Sequence, residues 1–174
     1  PDTRNPLNVR YDGGFKTYQY SVGLRLRKED LLANAMIETV SVQMNLELVR
    51  PWINSGAPFI VVGPEGAGKS MLLNNCFKVL DRVEVATIFC NAQTSAVNVI
   101  DKLNQVCAQF SSAEGKVLRP KGADRLILYL KDLNLPKPDM YATSMLHSLL
   151  QQLILYEGFY ASDLEWIWVE KMQI

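Results

Sequence analysis

The sequence predicts an α/β fold, a parallel sheet covered on both faces by helices. Three short runs, "FIVV" (Phe59–Val62), "VATIFC" (Val85–Cys90) and "LILYL" (Leu126–Leu130), read as strands, the first with the continuous apolar composition of a strand buried on both faces and the third as a buried strand. Longer segments with apolar residues at helical spacing follow them, "KSMLLNNCFKVL" (Lys69–Leu80), "TSAVNVIDKLNQVCAQF" (Thr94–Phe110) and "TSMLHSLLQQLILY" (Thr143–Tyr156). Strands that alternate with helices return in parallel by right-handed crossovers, which is the third observation and the one that sets the class.

Each element has a local reason. In the first stretch, "YDGGFKTYQYSVGLRLR" (Tyr11–Arg27), a Gly-Gly turn and alternating apolar residues suggest a short hairpin within an irregular leader. "MNLELVRPWINSG" places Met44, Leu46, Leu48, Val49 and Trp52 on a loose helical pattern that Gly56 and Pro58 end. Thr94 or Ser95 is the expected N-cap of the second long helix, and "SSAEGKVLRPKGADR" after it is expected to be a polar turn region. Gly158 is expected to end the third. "EWIWVEKMQI" (Glu165–Ile174) offers one short strand and the start of another.

Composition bounds the function. A chain of 174 residues is long enough for one domain with a sizeable core. Lys plus Arg and Asp plus Glu are 18 each, so net charge gives no reason to expect nucleic acid or an anionic membrane. No apolar run approaches the ~18 residues of a membrane span. Cys76, Cys90 and Cys107 show no metal-ligand spacing and are expected to be reduced, packed thiols. The start at Pro1 without Met and the stop at Ile174 inside an apolar run suggest a piece of something longer.

The chemistry is concentrated in "PFIVVGPEGAGKSMLL" (Pro58–Leu73), where Gly63, Gly68, Lys69 and Ser70 match G-x-x-x-x-G-K-[ST] between a strand and a helix. Such a loop turns tightly so that successive backbone N–H groups face a β-phosphate, and glycine permits the dihedrals and the close approach. Gly63, Pro64, Glu65, Gly66, Ala67, Gly68, Lys69, Ser70 and Met71 are therefore the expected nucleotide-binding residues. Lys69 reaches the β/γ oxygens, the Ser70 hydroxyl is a candidate Mg²⁺ ligand, and the helix starting near Lys69 adds its positive end. A GTPase would also show D-x-x-G and a guanine clamp. D-x-x-G is absent, and "PKPD" (Pro136–Asp139) has the wrong residue before its lysine.

"FIVVGPEGAGKSMLL", "CNAQTSA", "LYLKDLNLPKPDMYATSMLHSLLQQLILYEGFY" and "LEWIWVEKMQI" together resemble the third AAA+ module of a dynein heavy chain, of the kind that drives intraflagellar transport. The resemblance covers essentially the whole chain and is most specific from Leu128 to Tyr160. It implies a P-loop NTPase (AAA+) three-layer fold, most of the module's large α/β subdomain. Residues 1–50 would form the leader and adenine-pocket loop, and 51–174 the core, stopping before the family's γ-phosphate-sensing Asn and helical subdomain. By position "MIETV" (Met36–Val40) implies that Ile37 and Thr39 line the adenine pocket. The implied ligands are ATP or ADP with Mg²⁺. The implied partners are neighbouring AAA+ modules of the same heavy chain, microtubules through the parent motor, and dynein accessory chains, in the cytoplasm, cytoskeleton and cilium or flagellum. Neither nucleic acid nor membrane is implied.

A hydrolysing AAA+ site usually ends its third strand with Asp, which organises Mg²⁺-bound water, then Glu, which polarises the attacking water. Aligned on "LILYL" those positions are Lys131 and Asp132. In that register Asp132 replaces the base, one methylene short, and a cation stands where the metal-organising acid should be. Shifted by one, Asp132 becomes the metal partner and Leu133 takes the base position. Lys131 could also point away from the site. Asp132 is thus the one candidate for a catalytic or metal role on this strand, and one of two carboxylates is missing either way. The expectation is a regulatory module that holds nucleotide with little or no turnover. Its competitors are a free-standing P-loop enzyme, such as a small-molecule kinase, and a purely structural nucleotide-binding module.

Smaller features add little chemistry. His147, the single histidine, lies on an expected helix without a partner at ligand spacing. G-x-S-x-G is absent. Trp166 and Trp168 alternate across Ile167 as on a hairpin or edge strand and are expected to pack or to meet another module. Glu38 and Glu47 are expected to be solvated.

Overall fold

The computed structural model describes residues 9–11, 13–17, 36, 37, 39–113 and 115–174. A short antiparallel hairpin joins β1 (Val9–Tyr11) to β2 (Phe15–Thr17) around Gly13, whose φ of 62° suits the turn. The expected leader hairpin is present in these residues, and the rest of that stretch lies outside the described residues, as does Glu38.

Helix α1 (Val40–Ser55) runs through the expected division at residue 50 and stops at Gly56, left-handed at φ 73°. Its last turn is tied to the sheet by side chains from elsewhere. Arg125 donates to the Ile53 carbonyl at 2.8 Å, and Gln173 donates to the Trp52 and Ala57 carbonyls at 2.9 and 2.7 Å. These bonds satisfy carbonyls that a helix terminus leaves without intrahelical partners.

The central sheet is parallel, in the order β3 (Val83–Phe89), β6 (Arg125–Lys131), β9 (Met172–Gln173). Both expected strands "VATIFC" and "LILYL" are therefore present. Helix α2 (Lys69–Lys78) and α1 cover one face, where Leu46, Ile53, Leu72, Cys76 and Ile127 form a buried cluster. Helices α3 (Ala96–Val106) and α4 (Met145–Tyr156) cover the other, around Val99, Leu103, Leu126, Leu128, Leu146 and Leu150. Side-chain alternation along β6 divides its residues between the two clusters, which is the expected α/β arrangement with helices on both faces of a parallel sheet.

A second, mixed sheet runs β4 (Cys107–Ser112), β5 (Gly115–Pro120), β8 (Trp166–Val169), β7 (Gly158–Tyr160). Its buried Leu118, Phe159, Ile167 and Val169 extend the cluster under α3 and α4. Lys116 bridges Asp163 at 3.4 Å and Glu165 at 2.5 Å, and Arg119 meets Glu170 at 2.9 Å.

Four expectations are corrected. Phe59–Val62 is not a strand buried on both faces. Ile60 and Val62 are 77% and 88% exposed, and the segment is held beside β9 by one bond, Phe59 N–H to the Ile174 carbonyl at 3.1 Å. The ladder it meets is too short to pair it. The expected helix to Phe110 ends at Val106, because the next residues pair with β5 from Cys107↔Pro120 to Ser112↔Gly115. The expected polar turn region is thus half hairpin, with Val117 and Leu118 buried. Glu157, at φ 53°, ends α4 in place of Gly158, which opens β7. Gly158 serves a close approach instead, since a Cβ there would lie 2.6 Å from the Ile167 carbonyl oxygen.

Ser95 is the N-cap of α3, its amide donating to Asn98 Oδ1 at 2.8 Å, while Thr94 Oγ1 accepts from the Asn91 amide. Cys76, Cys90 and Cys107 are free and buried, and burial pushes each thiol above its ordinary pKa. Among the described residues no helix is long and apolar enough to cross a membrane.

Candidate nucleotide site

The loop from Gly63 to Gly68 joins the Phe59–Val62 segment to α2. Two glycines take the left-handed conformation, Gly66 at φ 73° and Gly68 at φ 79°. An L side chain at either would be strained by roughly 1–2 kcal/mol. Gly63 has no such requirement, and a Cβ there would make ordinary contact with Lys69 Cδ at 3.6 Å. Gly68 caps α2, with the Leu72 amide bonded to its carbonyl at 2.9 Å, so the first α2 amides open toward the loop. Lys69 curls across the loop and donates to the Gly63 and Pro64 carbonyls, each at 2.7 Å. An ammonium in that position can transfer its hydrogen bonds to a phosphate with little change of backbone.

A cavity of about 710 Å³ lies between this loop and α1. Gly63, Pro64, Ala67, Gly68, Lys69 and Met71 line its loop end, where Lys69 brings the charge. Val42, Leu48, Val49 and Trp52 of α1 form an apolar wall with Phe59–Val62, with Asn45 among them. Leu48 and Trp52 are exposed at 61% and 54%, a pattern that suits a flat apolar group better than core packing. The expected adenine-pocket residues, Ile37 and Thr39, are not in this wall. Ile37 is half exposed and Thr39 stands at the N-terminal end of α1, its amide bonded to the Ile37 carbonyl. The α1 stripe was legible as a helix pattern, but its second apolar face gave no separate signal.

The strand end opposite the loop shows which face Lys131 takes. Arg125, Ile127 and Tyr129 face α1 and α2. Arg125 reaches the Ile53 carbonyl, Ile127 packs with Leu72, and the Tyr129 ring stands edge-on to Phe77 at 5.4 Å. The Tyr129 hydroxyl donates to Ser70 Oγ at 3.4 Å. Alternation puts Lys131 next on this same face, and its Nζ lies 4.9 Å from the centroid of the Phe89 ring. Lys131 therefore does not turn to the opposite face. Asp132 follows beyond the strand, exposed and left-handed at φ 57°. Its charge raises the pKa of Cys90, second to burial, and Cys90 belongs to the cluster on the far side of the sheet.

Mg²⁺ held at such a loop takes few protein ligands, typically one or two carboxylates with phosphates and water. Here the loop face presents the Ser70 hydroxyl, which accepts from Tyr129, and the cation of Lys131. Among the described residues no group of three His, Cys, Asp or Glu could hold a metal ion. With Asp132 exposed beyond the strand, this face offers a poor donor set for a tightly held divalent cation. Tyr129 was missed by sequence reasoning, although its position two residues before Lys131 on a strand predicts a shared face.

Two other features settle more simply. His147 is exposed on α4, its amide donating to the N-cap Ser144 Oγ at 3.4 Å. Trp166 and Trp168 form an edge-to-face ladder with Tyr160, at 4.9 and 5.7 Å, on a strand flanked on both sides rather than at an edge.

A parallel α/β sheet whose helix α2 begins in a G-x-x-x-x-G-K-S loop defines a P-loop nucleotide-binding protein. Residues 25–174 match the family described as the P-loop containing dynein motor region, and the chain belongs to that family. It is 42% identical over 182 aligned residues to cytoplasmic dynein 2 heavy chain 1 of Mus musculus, across 100% of this chain and 4% of that protein. It is 50% identical to the protein of the same name from Chlamydomonas reinhardtii, across 87% of this chain and 4% of that one. A cytoplasmic dynein heavy chain of Drosophila melanogaster is 29% identical over 79% of this chain. The chain thus spans about 4% of the length of the dynein 2 heavy chains it matches.

Proposed function

We propose that this chain is the nucleotide-binding α/β part of the third AAA+ module of a dynein 2-type heavy chain, and that it holds ATP or ADP with little or no hydrolysis. In this reading residues 51–174 are the core and the segment before them the leader. The observation that carries it is the pairing of an intact phosphate loop with a strand end, Lys131-Asp132, that lacks one of two carboxylates and turns its lysine to the loop's face. The phosphates lie against loop amides and Lys69, and the base lies against the apolar wall of α1. The nucleotide state is read by neighbouring modules of the ring, and the parent motor acts on microtubules with its accessory chains in the cytoplasm and cilium. The relatives' names, cytoplasmic dynein 2 heavy chain 1, support the parent heavy chain in that setting. Mg²⁺ is left out of the proposal because this face offers it a poor donor set. The test is calorimetric titration of the chain with ADP beside its Lys69→Ala variant. Binding that falls about tenfold or more in the variant, the loss of roughly one buried charged contact, supports the proposal. Equal binding refutes it.

A further inference from the structure

We infer that Lys131 is the cation of this phosphate site, so that the chain holds a nucleoside di- or triphosphate without a divalent metal. The inference rests on the nucleotide-binding reading above and goes beyond it in naming the countercharge. Tyr129 fixes the geometry. Its ring packs on Phe77 of α2, and its hydroxyl reaches Ser70, the second residue of the helix that grips phosphate. Two residues on, about 6.6 Å further along the same face, strand geometry places Lys131.

The ammonium of Lys131 rests over Phe89, itself 68% exposed, so nothing buried restrains it there. An exposed cation–π contact is weaker than a charge-assisted bond to phosphate, and the flexible four-carbon stem allows the exchange. With Lys69 across the loop, two ammonium groups then bracket one polyanion. A divalent ion placed beside Ser70 would face Lys131 as a like charge and would lack a carboxylate to hold its water shell. Tyr129 further donates to Ser70 Oγ at 3.4 Å, using one of its two lone pairs. The charge that Mg²⁺ supplies elsewhere is here built into the chain.

The experiment is equilibrium binding of a fluorescent ADP analogue to the 174-residue chain, in excess Mg²⁺ and in excess EDTA. The parent should change affinity by less than about threefold between the two, since no metal contributes to its site. Lys131→Met, matched in length, should weaken binding about fivefold or more in both buffers. Lys131→Asp should make binding metal-dependent, by about tenfold or more. If Lys131→Asp does not fold, Lys131→Met carries the test, since it adds no charge to the strand end. A parent that loses about tenfold or more on chelation, or a Lys131→Met variant that binds like the parent, overturns the inference and leaves the nucleotide reading standing. A parent that binds in neither buffer overturns both.

Discussion

Gln173 is 2% exposed on β9, and its amide nitrogen joins two carbonyls at the base of the nucleotide cavity, Trp52 at the end of α1 and Ala57 just before the phosphate-loop segment. Replacing it by leucine keeps the volume and removes both bonds. Each bond is worth about 1 kcal/mol net. The Trp52 carbonyl also accepts from Ser55 Oγ at 2.9 Å and so keeps a partner, whereas Ala57 loses its amide donor. Part of the loss is offset, because Gln173 Oε1 is buried without a hydrogen-bond partner and leucine removes that cost. The balance for Gln173→Leu is about 1–2 kcal/mol of destabilisation, or a fall in Tm of roughly 2–8 °C for a domain of this size. Urea unfolding followed by circular dichroism measures it, with the slope m checked for constancy. Because Ala57 leads into the loop, nucleotide affinity should fall with stability. A neutral or stabilising Gln173→Leu, or one that leaves affinity intact, would refute the idea that this side chain joins α1 to the loop.

Gly158→Ala should destabilise by about 1–3 kcal/mol or more, since its Cβ would meet the Ile167 carbonyl oxygen at 2.6 Å and force β7 from β8. Thermal unfolding checks this, and a shift below about 1 °C would show that the sheet yields freely. Asp139 accepts from the Thr143 hydroxyl at 2.6 Å and from the Thr143 and Tyr141 amides, and the Thr143 hydroxyl does most to hold its carboxyl below the usual range. A folded pKa below the unfolded one means that this stabilisation is present above about pH 4 and fades as pH falls through the folded value. The stability gap between the parent and Asp139→Asn should therefore close below about pH 4, and a gap that stays constant there would contradict the assignment.

Much of the fold and part of the site were legible in the sequence. β6 announces itself because both its faces are covered, so its apolar run from Leu126 to Leu130 is continuous, whereas β3, with only Ala86 buried, is carried by its β-branched and aromatic residues. The phosphate loop is read from glycine spacing, and the structure gives the reason at Gly66 and Gly68, where φ is positive. Phe59–Val62 has the same composition as those strands but lies along a two-residue strand and stays exposed, which composition alone does not reveal. The hairpin β4–β5 was hidden because Val106, Cys107 and Phe110 continue the helical spacing of α3. Pairing with Gly115–Pro120 overrides that local preference, and the Gly115 turn was the available signal. The cavity wall on α1 and the Tyr129–Ser70 contact depend on which segments meet in three dimensions, and no local pattern encodes them.

The central claim is that this site holds nucleotide and does not turn it over. A positioned general base contributes about 10²–10⁴-fold to such a reaction, and in the proposed reading Asp132, exposed beyond the strand, takes that position one methylene short beside a lysine where the metal-organising acid would stand. The direct measurement is single-turnover ATP hydrolysis in a motor heavy chain carrying this module, with the loop lysines of its other modules replaced. ATP bound at this loop should stay intact over many turnovers of an active ring, and Lys131→Asp combined with Asp132→Glu should speed its hydrolysis about tenfold or more. Rapid hydrolysis by the parent, abolished by Lys69→Ala in this module, would contradict the account.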